Sequence, residues 1–126
     1  MSSVKRFEDL ESWQAARALV KDIFILSREG KLNRDFDFKS QFRRSALSIM
    51  NNIAEGFARY HKIDFIKFLD YSQSSAAELK SMLYVCEDIG YLNNKTLQDL
   101  HAQTDKCRNM TLGLIRYINK KKEKKK

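Results

Sequence analysis

The sequence predicts an all-α protein, folded as an antiparallel up-down four-helix bundle. Proline is absent and only four glycines occur among 126 residues, so little interrupts long helices. In four segments, apolar residues recur at steps of three and four, the spacing of a helix face that packs inside a bundle. No segment alternates with a period of two over a useful length, so we expect no sheet.

The first predicted helix runs from residue 8 or 9 to residue 28, and Gly30 is placed to end it. Residues 31–37 are predicted as a loop, with Leu32 and Phe36 packed back onto the bundle. The inward positions of this helix, at alternating steps of three and four, are Trp13, Ala16, Val20 and Ile23.

The second helix is predicted from about residue 38 to residue 60, followed by a short break at residues 61–63. Asp64 is a suitable N-cap for the third helix, which continues to about Ile89. Gly90 then supplies a left-handed turn, because glycine adopts a positive φ without steric cost. Such short connections make consecutive helices antiparallel neighbours.

The fourth helix is predicted to begin at Asn93 or Asn94. Its inward positions follow steps of three and four without interruption, and they are Leu97, Leu100, Thr104, Cys107, Thr111, Leu114 and Ile118. We therefore predict a bundle over residues 1–119 and a disordered lysine-rich tail over residues 120–126. The tail holds six lysines and one glutamate, a charge of +5, which leaves +3 of the total of +8 for the bundle.

A run in the second predicted helix, from Gln41 to Gly56, reads QFRRSALSIMNNIAEG. At about 100° per residue it has an apolar face and an opposite polar face. The run resembles the QxRRAxxSIxxNIAEG signature of the 23S rRNA intervening-sequence proteins. The chain also resembles that family's F-x-x-L-x-x-W-Q opening and its F-x-x-F-L…G-S-x-x-E-L third helix, except at Ser74, where the family usually has glycine. The matching residues are Phe7, Leu10, Trp13, Gln14, Phe65, Phe68, Leu69, Ser75, Glu78 and Leu79.

This resemblance covers nearly the whole chain and implies a four-helix bundle, often assembled as a ring of five subunits, with no established enzymatic activity. A more distant resemblance is to the accessory protein of diversity-generating retroelements, a basic pentamer that works with a reverse transcriptase and RNA. Likeness of fold and charge does not by itself assign a function. The resemblance therefore adds a homopentamer to the expectations for this chain.

Residue chemistry gives no support for an enzyme, a metal site or a cofactor. His61 and His101 lie at different predicted helix ends, without further ligands at metal-binding spacing. Cys86 and Cys107 fall at inward positions, where a buried inert thiol is expected. The first residues lack the apolar core of a signal peptide, and no apolar stretch approaches the ~18 residues of a membrane span. We expect a cytoplasmic protein without a membrane partner.

Five residues of the second helix form a polar stripe and are candidates for a subunit interface or a polar network. A stripe of this composition is either solvated, with little effect on stability, or buried against a neighbouring chain, where each group must be paired. With the ring assembly that the resemblance implies, we favour burial between subunits. The stripe comprises Gln41, Arg44, Ser48, Asn52 and Glu55.

Candidate nucleic-acid contacts are the cations of the second helix and of the C-terminal segment. Most Phe residues are expected in the core, which leaves Tyr117 beside Arg116 as the stacking position for a base. A lysine tail would bind RNA or DNA phosphates without sequence preference. The alternative is a ring-shaped adaptor for an unidentified protein, with lysines that serve solubility. The candidates are Arg43, Arg59, Lys62, Arg116, Tyr117, Lys120, Lys121, Lys122, Lys124, Lys125 and Lys126.

Overall fold

The all-α prediction is confirmed by the computed structural model, which describes residues 4–124, with side chains through residue 121. A short 3₁₀ helix, Phe7–Asp9, precedes five α-helices, and the described residues contain no strand. None of the helices within those residues is long and apolar enough to cross a membrane. The α-helices are α1 (Glu11–Leu26), α2 (Gly30–Arg34), α3 (Phe36–Ala58), α4 (Lys62–Ile89) and α5 (Asn94–Lys124).

The four long helices pack in a closed cycle, in which α1 contacts α3 and α5, and α4 contacts the same two helices. Hydrogen bonds show the direction of two of these pairs. Ser48 of α3 meets Ser75 of α4, whereas the later Ile49 meets the earlier Ser72, so α3 and α4 are antiparallel. In the same way, Gln73 of α4 meets Arg108 of α5 and the later Lys80 meets the earlier His101, so α4 and α5 are antiparallel. Between α1 and α5, Gln103 donates to Asp22.

The core lies on the axis of this cycle and receives side chains from all four long helices. Their inward positions recur at helical spacing, and the smaller Ala16, Ala46 and Ala76 let the helices approach closely. The largest fully buried apolar side chains are Phe42, Leu19, Ile23, Leu32, Ile49, Ile53, Leu69, Leu79, Leu83 and Leu100.

Local sequence signals set several helix ends. Gly90 has φ +73° and ends α4 in the left-handed conformation, as predicted. Asn93 caps α5, since its Oδ1 accepts a hydrogen bond from the backbone N–H of Thr96 at 2.8 Å. Asp35 caps α3 by accepting from the N–H of Phe38 at 3.2 Å. Asp64 is not the cap of α4, because that helix already begins at Lys62 and places Asp64 in its first turn.

The segment predicted as a loop differs from expectation. Gly30 does not end α1, which stops at Leu26; it opens the five-residue helix α2 with φ +65°. Leu32 is buried, as predicted. Phe36 does not pack onto the bundle and is 76% exposed. The reason is register: Phe38, one helical turn before Phe42, takes the inward position and stacks on it at 5.7 Å.

The C-terminal boundary also differs from the predicted start of a disordered tail at residue 120. The backbone of α5 is helical through Lys124, and Lys125 and Lys126 lie outside the described residues. Lysine has a favourable helix propensity, and no glycine or proline follows Gly113. Lysines also interact favourably with the negative end of the helix dipole. These effects explain why the helix continues past residue 119.

Two helices approach closely at Gly56 of α3, which packs directly on α4. A Cβ atom at this position would lie 2.8 Å from Cβ of Phe68, 3.0 Å from Cδ1 of Phe65 and 3.2 Å from its carbonyl oxygen. Cβ of Phe68 and the carbonyl oxygen of Phe65 can move only if the backbone of α4 moves. A side chain at residue 56 therefore requires α3 and α4 to separate.

We predict that Gly56→Ala lowers the free energy of unfolding by about 1–2 kcal/mol. Overpacking costs about 1–3 kcal/mol, which exceeds the gain of up to ~1 kcal/mol from replacing a helical glycine by alanine. Urea unfolding at fixed protein concentration measures the change. Gly113→Ala is the matched control: no atom lies within 4 Å of a Cβ there. It should stabilise the protein by about 0.5–1 kcal/mol. Equal effects of the two substitutions would contradict the close approach.

We also predict that both cysteines resist alkylation in the folded protein. Cys86 and Cys107 are fully buried, and burial raises the pKa of the Cys86 thiol from 9.0 to about 12 and that of Cys107 to about 11. Because the unfolded thiols ionise at lower pH than the folded ones, stability should fall as pH rises above 9.0. Iodoacetamide labelling in buffer and in urea, followed by mass spectrometry, tests the prediction. Rapid labelling of a chain that keeps its helical spectrum would contradict it.

Candidate subunit interface and nucleic-acid surface

The predicted polar stripe divides between an intramolecular contact and the surface. Ser48 and Asn52 are half-buried where α3 packs on α4. The hydroxyls of Ser48 and Ser75 lie 2.7 Å apart, and Nδ2 of Asn52 donates to the carbonyl oxygen of Ser48 at 2.8 Å and to its Oγ at 3.0 Å. Ser48 thus bonds across to α4 within one chain, and Asn52 supports Ser48 from the next turn of α3.

The same helix pair carries further polar contacts that the sequence analysis did not single out. Ser45 Oγ lies 2.7 Å from Oε1 of Glu78, and the buried Ser72 donates to the carbonyl oxygen of Ile49 at 2.8 Å. Ser72, Ser75 and Glu78 recur every three residues on α4. This row of polar residues at helical spacing is the sequence pattern that could have predicted the contacts. We call the residues Ser45, Ser48, Asn52, Ser72, Ser75 and Glu78 the polar seam.

The other three stripe residues are exposed. Nη2 of Arg44 lies 3.5 Å from Ser40 Oγ, a long contact, and no carboxylate pairs with Arg44 among the described side chains. Glu55 forms an ion pair with Arg59 at 3.3 Å, one helical turn away. Exposed pairs of this kind contribute at most about 1 kcal/mol. Gln41, Arg44 and Glu55 thus form the accessible part of the stripe.

The outer face of α4 continues this accessible surface with apolar side chains. Tyr71, Val85 and Ile89 are exposed on the side of α4 next to α3, together with the small Ser74, whereas the exposed Tyr84 lies on the other side, against His101 of α5. The serine that replaces the family's glycine therefore lies on the surface of this chain. Exposed apolar groups on one helix face beside polar ones are typical of a protein interface.

Arg43 has an intramolecular role. Its Nε donates to Ser27 Oγ at 2.7 Å, its Nη2 donates to the carbonyl oxygen of Phe24 at 3.3 Å, and the guanidinium lies 4.5 Å from the centre of the Phe24 ring. The side chain thus satisfies the Phe24 carbonyl near the C-terminal end of α1. This predicted nucleic-acid contact lies near the start of α3, apart from Arg59 and Lys62.

The register of α4 and α5 brings most of the other predicted cations to one end of the bundle. The side chain of Gln73 bonds to the backbone of Arg108, and Lys80 meets His101 in the same register. Continued to the start of α4, this register places residue 119 beside Lys62. Residues 120–124 then extend about 7.5 Å beyond it, at 1.5 Å per residue.

We call Arg59, Arg116, Lys120 and Lys121 the basic end. Arg59 follows α3 directly and lies 4.6 Å over the Phe68 ring, which fixes its guanidinium at this end. Arg116 and Lys120 are one turn apart on the exposed side of α5. Lys122 and Lys124 continue the helical backbone, and Lys125 and Lys126 lie outside the described residues.

Two other predicted residues lie at the same end. Tyr117 is 40% exposed and stays accessible on α5, whereas Lys62 is half-buried. Tyr60, which follows Arg59 in the chain, is 94% exposed, and its ring lies 5.1 Å from the His61 ring. Arginine, lysine and exposed tyrosines therefore lie at the same end of the bundle, and together they are the residue types that contact phosphates and bases.

His101, at the α4–α5 contact, lies beside the charged side chains of Lys80 and Asp105. Lys80 Nζ lies 3.1 Å from Nδ1 of His101 and 3.0 Å from a carboxylate oxygen of Asp105. Burial and the Lys80 charge lower the pKa of His101, which favours the neutral ring that can accept from Lys80. Among the described residues, no three His, Cys, Asp or Glu side chains are grouped so as to hold a metal ion.

Comparison with protein families matches residues 8–113 to the 23S rRNA-intervening sequence proteins. A similar solved structure is a protein of unknown function from the S23 ribosomal protein family of Bacteroides thetaiotaomicron VPI-5482. It has a TM-score of 0.76 and 18% identity over 83% of this chain and 95% of its own, a similarity that shows the fold alone. No match was found among curated proteins. Since the family match spans most of its length, this chain belongs to the 23S rRNA-intervening sequence protein family.

Proposed function

We propose that this protein is a non-enzymatic, oligomeric helical-bundle protein of the cytoplasm that binds the phosphate backbone of RNA without sequence preference. The basic end carries this proposal. There, α5 projects Lys120 and Lys121 past the start of α4, on the same end as Arg59 and Arg116. Lysine and arginine side chains at a projecting helix end can follow a flexible strand, but they do not reach base edges in a fixed geometry.

Oligomerisation would multiply this surface. The accessible stripe residues Arg44 and Glu55 and the exposed apolar groups of α4 provide polar and apolar contacts for a second subunit. The similarity to the intervening-sequence proteins favours a ring of five. In such a ring several basic ends could engage one strand at once, which raises avidity without any new contact.

The non-enzymatic part of this proposal is supported by the environments of the two thiols and of His101. Both thiols are buried with raised pKa values, and His101 is occupied by Lys80. A nucleophile or general base must instead reach its substrate. The described thiols and the His101 ring do not meet that requirement.

A second candidate function is a ring-shaped adaptor for another protein, without a nucleic-acid role. The observation that favours it is the exposed apolar face of α4, with Tyr71, Val85 and Ile89 between 40% and 48% exposed. If this face binds a different protein, the lysines serve solubility. The two candidates differ in salt dependence, since only phosphate binding weakens steeply as salt rises.

We predict that single-stranded RNA binds the full-length protein with a log–log salt slope of about −0.7 per neutralised phosphate. The double variant Lys120→Ala/Lys121→Ala should reduce the slope, and deletion of residues 120–126 should remove most of it. The matched control, Lys21→Ala/Lys106→Ala, removes two exposed lysines from the middle of the bundle and should leave the slope unchanged. Fluorescence anisotropy over a salt series gives these values.

Two outcomes would contradict this proposal. No binding by the intact protein at low salt would favour the adaptor. Binding that survives deletion of residues 120–126 without any change in slope would move the phosphate contacts to the body of the bundle. Light scattering on each variant shows whether assembly is unaffected.

We predict further that Arg44→Ala weakens self-association. If Arg44 is paired inside a subunit interface, its removal leaves a buried charge without a partner and costs about 3 kcal/mol, roughly a 150-fold change in the dissociation constant. Arg6→Ala is the control, since Arg6 is an exposed arginine that already pairs with Glu8 at 3.0 Å. Light scattering over a dilution series measures the mass. A monomer mass for the unmodified protein at micromolar concentration would end the oligomer proposal.

A further inference from the structure

A second surface with aromatic and cationic side chains lies at the opposite end of the bundle from the basic end. Phe36, the first residue of α3, is 76% exposed, although Phe is among the residues most often buried. One exposed lysine and one exposed arginine of α2, Lys31 and Arg34, precede it in the chain. We call Lys31, Arg34, Phe36 and Lys39 the Phe36 surface.

Local contacts hold the Phe36 surface in place. Nζ of Lys39 lies 5.0 Å from the centre of the Phe36 ring and donates to Oδ1 of Asn33 at 2.9 Å. The lysine thus covers one face of the ring and connects α3 to α2. Because three quarters of Phe36 remains exposed, the other face is accessible to a planar ligand.

A shallow cavity of about 510 Å³ adjoins this ring and is lined by Lys31, Arg34, Asp35, Phe36, Asp37 and Tyr91. The Asp35 carboxylate in it is already occupied, because it accepts from the Tyr91 hydroxyl at 2.6 Å and from the Phe38 N–H at 3.2 Å. These contacts satisfy the carboxylate and fix the floor of the cavity. Asp37 is the acidic group that stays exposed there.

The cations of this surface are free to meet a ligand. Lys31 and Arg34 are exposed, and neither belongs to the ion pairs found among the described side chains. Both line the same cavity as Phe36. An open aromatic face with two unpaired cations at its rim matches a nucleotide, which presents a planar base and an adjacent phosphate.

We propose that the Phe36 surface binds single-stranded RNA, with one base stacked on Phe36 and adjacent phosphates contacted by Lys31 and Arg34. This inference rests on the proposed RNA association and adds a second contact point to it. The 23 residues of α3 separate the two surfaces by about 34 Å, at 1.5 Å per residue. A short oligonucleotide therefore reports on one surface at a time.

The Phe36 side chain and the two cations should affect the salt dependence of binding differently. A stacked base depends little on salt, whereas each phosphate contact contributes about −0.7 to the log–log slope. Phe36→Ala should therefore weaken binding of a short oligouridine about 5- to 150-fold while leaving the slope unchanged. Lys31→Ala should reduce the slope by about 0.7. Phe36→Leu keeps an apolar side chain without a π face and should behave like Phe36→Ala.

The experiment is fluorescence anisotropy of a labelled hexauridylate on the full chain and these variants over a salt series. Phe36→Trp supplies a direct signature: its fluorescence should be quenched by the oligonucleotide beyond any change of Trp13 in the unmodified protein. Equal affinity of Phe36→Ala, Phe36→Leu and unmodified protein would overturn the proposal. A changed assembly mass for Phe36→Ala would also overturn it, by making Phe36 a protein contact.

The basic-end variant Lys120→Ala/Lys121→Ala separates this inference from the function on which it rests. If that variant loses salt-dependent binding while Phe36→Ala binds normally, the Phe36 proposal fails and the basic end stands. If Phe36→Ala weakens binding while the basic-end variant does not, the Phe36 surface is the binding site and the basic end is not. Partial loss in each variant, with the remaining binding at the other surface, supports two contacts on one protein.

Discussion

The close packing of α3 on α4 is the constraint on which the rest of the structure depends. At one end of this contact, Gly56 leaves no room for a side chain against Phe68 and the Phe65 backbone. Along its length, the polar seam pairs Ser48 with Ser75 and Ser45 with Glu78 at 2.7 Å. Apolar packing alone tolerates small shifts along a helix axis, whereas a steric limit combined with short hydrogen bonds specifies one register.

That register determines where the charges lie. Since α3 and α4 are antiparallel and joined by three residues, Arg59 is fixed at the end where α4 begins. The helix α5 returns to the same end and is longer than α4, so its C-terminal lysines extend beyond the bundle. The other end of α3 carries Phe36 instead, with the lysine and arginine of α2 beside it. The two cationic surfaces thus result from helix lengths and direction.

The polar stripe shows how one sequence pattern can have two roles. Ser48 and Asn52 serve the α3–α4 contact of a single chain, and Arg44 and Glu55 remain exposed beside the apolar surface of α4. A helical projection cannot separate these roles, because a neighbouring helix covers only part of the face opposite the core. Arg43, adjacent to Arg44 in sequence, points toward α1 and caps its end. Adjacent residues of one helix differ by about 100° in direction.

The sequence by itself determined the all-α class, four long helices, the Gly90 turn and burial of both cysteines, because helical periodicity and glycine conformation are local properties. Family membership was also accessible from the signature between Gln41 and Gly56. Only the tertiary structure decided that Phe36 is exposed, that Arg43 binds the end of α1, and that the predicted stripe divides at the polar seam. These features depend on which helix covers which face, a relation between residues far apart in the chain that no local pattern specifies.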